Sequence, residues 1–155
     1  MKKIKTIKAV AAYNFLKSLK VKELSDETCV SIWKDIKALR ATSETYEKDT
    51  KDIDESLKSE DSDKWDERRQ KAVELENKAK SGDYTYTAED IKEHEEVINY
   101  LKGIKDKKDK LFTELNDALV EVDIKTIKEA DMIKAIKLND QSIGVMDELD
   151  FLLEE

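Results

Sequence analysis

The chain contains no proline. No position therefore breaks a helix by lacking a backbone donor, so helices end only at glycines, at caps or where packing ends them. Glycine is scarce as well, at Gly82, Gly103 and Gly144. That excludes the glycine-rich loops that cradle phosphates. Cysteine and histidine occur once each, as Cys29 and His94. A lone cysteine closes no internal disulfide and fits a reducing compartment. A lone histidine, far from Cys29 in sequence, leaves no material for a Cys/His or Ser/His/Asp constellation beyond itself. No apolar run approaches the roughly 18 residues of a membrane span. The lysine-rich start followed by "AVAAYNFL" lacks a small-residue cleavage site before "KVKEL", so it does not read as a secretory leader.

What is present is charge: 43% of the residues are charged and 39% apolar. Lys, Glu, Asp, Ala and Leu dominate, which favours long helices with wide solvated faces. The 155 residues make one domain by size, enough for one core. The net charge of −8 is uneven. Residues 1–22 hold seven lysines and no acid, so the remainder carries −15, the −8 of the whole less seven positive charges. An acidic body argues against nucleic acid as the main partner. The basic start could touch nucleic acid or an acidic partner, and the preferred reading is that it balances the protein's own acidic helices.

Periodicity predicts the helices. Thr6 reads as an N-cap, and residues 7–20 are apolar around most of the circumference, as in a helix surrounded by others. Ser25 or Asp26 caps a long helix over residues 27–58. Its Ile32, Ile36, Leu39, Ser43, Tyr46, Thr50, Ile53 and Leu57 form a heptad seam. A break at residues 59–63 precedes a helix over 63–80, with Trp65, Arg68, Ala72, Leu75 and Ala79 on one face and Gly82 as its C′ residue. Thr87 and Asp90 resemble a capping box for a fourth helix over 88–117. Its seam is Val97, Leu101, Ile104, Lys108, Leu111, Leu115 and Ala118. Two shorter helices follow, at 126–137 and 142–153. The predicted fold class is mainly α: a single helical domain built as an elongated antiparallel hairpin or bundle. Its arms, 27–58 and 88–117, would be on the order of 45 Å long. The helix over 63–80 sits at the tip, and 7–20 with 126–153 form the base.

One stretch breaks the helical pattern. In "ALVEVDIKTI", residues 118–127, Val120, Val122 and Ile124 alternate with Glu121, Asp123 and Lys125. Alternation predicts a short strand over about 119–125. A lone strand leaves its backbone groups unsatisfied. Three partners are available: "KKIKT" at residues 2–6, "DYTYT" before the fourth helix, or a strand of a neighbouring subunit. The basic "KKIKT" is preferred, because Lys3 and Lys5 would lie opposite Glu121 and Asp123.

Candidate chemistry is thin. "HEEVI" lacks the second histidine of a zinc-protease helix, so His94 reads as a surface or seam residue. The acid-dense "EDSDKWDE" lacks the glycine and terminal glutamate of a calcium loop. A di-metal carboxylate bundle wants Glu three residues before each His, and Ile91 stands there. Arg68 and Arg69 suit either a bound phosphate or neighbouring acids, with the acids preferred. The chain therefore reads as a non-enzyme with no cofactor and no metal site. Trp65 fits two roles, hairpin-tip core or partner anchor. The closing "MDELDFLLEE" carries an apolar stripe, Met146, Leu149, Leu152 and Leu153, beside an acidic one. It fits a helix that closes the core or one presented to a neighbouring protein.

The C-terminal third resembles a family of small tailed-bacteriophage proteins. In that family a charged helix leads into an alternating strand, then a short helix, then a final helix in which Asp lies between apolar residues. The matching residues here are Val120, Glu121, Val122, Asp123 and Ile124, then Met146, Leu149, Asp150, Phe151 and Leu152. The apolar first helix and the long second helix follow the same layout. The resemblance implies a structural or assembly role in the virion, near the head–tail junction or tail, with other phage structural proteins and the chain itself as partners. The interaction candidates are then Val120, Val122, Ile124, Met146, Leu149, Phe151, Leu152 and Trp65, and the location is the virion or host cytoplasm. The alternative is a small acidic inhibitor or regulator that occupies a basic groove on a host protein.

Overall fold

A computed structural model describes residues 1–58 and 62–154. Among them are six α-helices and two strands. In chain order they are β1 (Lys2–Lys5), α1 (Thr6–Ser18), α2 (Asp26–Ser56), α3 (Ser62–Lys80), α4 (Ala88–Asp117), β2 (Leu119–Val122), α5 (Glu129–Leu138) and α6 (Val145–Glu148). A 3-10 turn, Asp150–Leu152, follows. The fold is mainly helical, with one small antiparallel sheet. No helix of the described residues is long and apolar enough to cross a membrane. The break expected at 59–63 falls partly on 59–61, outside the described residues.

The chain divides into two compact units. The first comprises Met1–Thr50 and Thr113–Glu155, the second Lys51–Phe112. Long helices α2 and α4 contribute to both.

In the first unit, β1 pairs antiparallel with β2, with Lys3 opposite Glu121 and Ile4 opposite Val120. This is the preferred pairing, and Lys3 Nζ lies 3.3 Å from Glu121. The second expected ion pair differs. An antiparallel register that sets Lys3 against Glu121 sets Lys5 against Leu119, so Asp123 falls beyond the pairing. Lys5 instead reaches Asp117 at 2.7 Å. Thr6 is not the expected N-cap either. Both its N–H and its hydroxyl donate to the Ala118 carbonyl, at 2.8 and 2.9 Å, which carries the strand contact into the first helical turn.

Helix α1 is surrounded, as its apolar circumference predicts. Ala9, Ala12 and Leu16 are buried, together with Ile32 and Leu39 of α2, Val122 of β2, and Met132 and Ile136 of α5. Ser25 caps α2 by accepting the Thr28 N–H at 3.2 Å. Within α2, Ile32, Leu39 and Ser43 are buried, and Tyr46 donates to Asn116 of α4 at 2.8 Å. After Leu138, Asp140 takes the left-handed φ of 52°, and the Gln141 N–H donates to the Ile136 carbonyl at 3.1 Å, closing α5 in a Schellman turn.

The C-terminal segment departs from the expected helix over 142–153. Only Val145–Glu148 is α-helical. Beyond it the backbone finds hydrogen-bond partners outside the helix. Ile127 donates to the Leu152 carbonyl at 2.8 Å, and the Glu154 N–H donates to the Ile127 carbonyl at 2.9 Å, forming a parallel bridge between Ile127 and Leu153. A helix would have kept those groups for itself. The preceding helix also starts later than expected, at Glu129, because Ile127 is held in this bridge.

In the second unit, α3 stops at Lys80 and Gly82 adopts a φ of 78°. The Asp83 N–H donates to the Lys78 carbonyl and the Gly82 N–H to the Ala79 carbonyl, again a Schellman turn. The capping box forms: the Thr87 N–H donates to Asp90 at 2.7 Å, and the Asp90 N–H to the Thr87 hydroxyl at 3.1 Å. Thr87→Ala should cost about 1 kcal/mol, measured as a lower urea midpoint. An unchanged midpoint would show that the box contributes nothing.

Candidate interaction surface

The interaction candidates from the sequence separate into two groups. Val122, Leu149, Phe151 and Leu152 are buried in the first unit's core, with Val120, Ile124 and Met146 half-buried against it. The apolar surface of Leu149, Phe151 and Leu152 is consumed inside the chain, where the Ile127–Leu153 bridge holds the terminal segment. Lys2 Nζ reinforces this by donating to the Phe151 carbonyl at 2.8 Å. Four of these residues are thus part of the core, and Val120, Ile124 and Met146 pack against it with part of their surface left open.

Trp65 likewise finds its contacts within its own unit. Its ring stacks on Tyr100 at 3.9 Å with an interplanar angle of 4°. The Arg68 guanidinium covers it at 4.4 Å and pairs with Glu93 at 3.3 Å and Glu96 at 2.6 Å. Arg69 pairs with Asp66 at 3.2 Å. Both arginines thus serve neighbouring acids.

A polar cavity of about 140 Å³ between α3 and α4 is lined in part by Arg68, Tyr86, Asp90 and His94. Its charged groups are largely matched to partners. His94 Nε2 lies 2.9 Å from Glu76, and that hydrogen bond holds the Glu76 carboxyl below its ordinary range. The backbone N–H and hydroxyl of Thr87 do the same for Asp90. The Thr85 hydroxyl donates to Asp83 at 2.6 Å. Among the described residues, no three His, Cys, Asp or Glu side chains converge as metal ligands. Cys29 is half-buried, with Sγ 3.7 Å from the Val21 carbonyl.

Two features lie outside the sequence reading. The first is Asp35, wholly buried in α2. Its Oδ1 accepts the Lys125 N–H at 2.6 Å, while Oδ2 has no hydrogen-bond partner. Burial raises its pKa to about 6 against the lowering effect of the Lys125 N–H. Asp35 therefore fastens the turn after β2 to α2. The available signal was spacing, since Asp35 lies three residues after Ile32 and four before Leu39, on the buried face.

The second is the outer face of α2. Trp33 is 57% exposed and Val30 48%. Lys37 Nζ sits over the Trp33 ring at 4.7 Å. From Thr28 to Ala41 the exposed residues are Val30, Trp33, Lys34, Lys37, Arg40 and Ala41. The only acid in that stretch is the buried Asp35. A chain of net charge −8 thus presents a local surface that is aromatic and wholly cationic. Val30 and Trp33, one helical turn apart, form an exposed apolar spot bordered by these cations, and tryptophan is among the residues enriched at the centre of protein contacts. Trp33 sits one position past the Ile32 seam, so its outward direction was readable from helical spacing. No known protein family, curated protein or solved structure matches the chain.

Proposed function

We propose that this chain is a non-enzymatic structural or assembly component, acting through protein–protein contacts in the head–tail or tail region of a tailed-phage virion. The observation that carries the contact role is the exposed Trp33 face of α2, an aromatic surface with three exposed cations, Lys34, Lys37 and Arg40, beside it. The virion setting is supported by the resemblance in the C-terminal third, with its alternating Val120–Glu121–Val122 and its closing Leu149–Asp150–Phe151. An acidic inhibitor that mimics nucleic acid would have no use for an aromatic face ringed by lysine and arginine, which favours the assembly role.

The test is mass spectrometry of purified virions and assembly intermediates from cells producing the protein. The expected result is its presence at a fixed ratio to a head or tail protein, with incorporation reduced about tenfold or more by Trp33→Ala. Absence from both particles and intermediates would overturn the reading.

A further inference from the structure

The Trp33 face has a counterpart on the same chain. After Lys137 the sequence holds no lysine or arginine. Ile143 projects from the loop between α5 and α6 at 60% exposure, and Asp140, Asp147 and Glu148 are exposed around it in sequence. Ile143 and these acids have no function in the core, which is filled by Leu149, Phe151 and Leu152. Asp150, by contrast, is already paired with Lys8 at 3.1 Å.

The α2 face offers an aromatic plate with cations, and residues 140–148 offer an exposed aliphatic side chain with exposed carboxylates close to it in sequence. We propose that the occupant of the α2 face is a second copy of this chain, with Ile143 packed on Trp33 and Val30. Asp147 and Glu148 then meet Lys34 and Lys37. This rests on the assembly reading and names one of its contacts. Two different patches meeting is a heterologous contact, which builds rings or filaments if not closed by a two-fold pair. Complementary charge fixes the register, while the apolar pair supplies burial. Copies of charge −8 repel at long range, but at about 0.15 M salt that repulsion is screened beyond roughly 8 Å, leaving contact-distance pairs.

The nucleic-acid alternative is less well matched. Lys37 already covers one face of the Trp33 ring, and Asp26, Glu27, Glu44 and Glu47 bound the patch along α2. A phosphate chain following the helix would meet those acids within a turn.

The experiment measures mass in solution by sedimentation equilibrium, from micromolar to about millimolar protein at 0.15 M salt. Two variants are compared with the native chain: Lys34→Glu/Lys37→Glu, and Asp147→Lys/Glu148→Lys. All four positions are exposed, and circular dichroism monitors folding. The native chain should rise above its 17.9 kDa single-copy mass with concentration. Each variant alone should associate about tenfold or more weakly, because like charges then face each other. Mixing the two variants should restore association, since each supplies the surface the other lost. A native chain that stays single-copy throughout overturns the proposal, as do variants that associate like the native chain or a mixture that fails to recover. A single-copy result combined with recovery of the protein in virions would leave the assembly role standing with a different occupant on α2. Absence from virions would remove the assembly role itself.

Discussion

Asp35→Asn should relieve roughly 2–3 kcal/mol of charge-burial cost at neutral pH, less the cost of the amide group that takes the place of the unpartnered oxygen, and should flatten the pH dependence expected of the native chain. Asp35 is wholly buried with one oxygen unpartnered, so its charge is stripped of water without full compensation. The folded-state pKa of about 6 lies above the ordinary 3.8. The folded state therefore holds a proton that the unfolded chain releases. Its stabilising share is fully present below pH 3.8, declines as pH rises, and is gone above about 6. Asparagine is neutral throughout and keeps an oxygen to accept the Lys125 N–H. Comparing urea midpoints of the two proteins between pH 4 and 7 isolates this group from carboxyls such as Asp90 and Asp150, whose lowered pKa values act in the opposite direction. Parallel curves would show that the Asp35 carboxylate is well compensated after all.

Leu152→Ala should cost about 3 kcal/mol, within the usual range for a buried leucine. Leu152 is fully buried among Ile4, Leu16 and Ile136 in the core cluster, and its carbonyl holds the Ile127 N–H. The substitution removes apolar burial and leaves a cavity beneath β1 and α1. For a domain of this size the loss should lower the melting temperature by several degrees. A terminal segment presented to a partner would behave otherwise, with stability unchanged and only partner binding affected. An unchanged melting temperature would therefore place Leu152 outside the core.

Local signals were legible in the sequence because local physics decides them. The alternation at Val120 and Val122 specified a strand, and charge picked its partner, since Lys3 opposite Glu121 needed only an antiparallel pairing. Gly82 and the Thr87–Asp90 box mark helix ends through groups one turn apart. Legibility failed where distant chain decides the outcome. The stripe Met146, Leu149, Leu152 looked helical, but Ile127 captures the backbone hydrogen bonds of Leu152 and Glu154 from 25 residues away or more, as their numbering shows. The burial of Asp35 carries little sequence signal, because an acid among lysines on a charged helix ordinarily faces water. Only the arrival of the Lys125 N–H makes its burial tolerable. Seven of the eight interaction candidates are apolar residues of the terminal third, four of them taken up by the first unit's own core and the others packed against it. The exposure of Trp33 carries little sequence signal, because its neighbours in sequence are lysine and the buried seam.

The pairing of β1 with β2 also sets a timetable for the nascent chain. Thr6 waits for Ala118, 112 residues later, and Lys2 waits for Phe151, 149 residues later. At the usual ribosomal pace of about 5–20 residues per second the first wait lasts on the order of ten seconds. Throughout that time α1, apolar on nearly every side, has no β2, α5 or terminal segment to cover it. The lysines that precede and interleave it, Lys2, Lys3, Lys5 and Lys8, then keep the emerging helix in water until the strand that will cover it has been made.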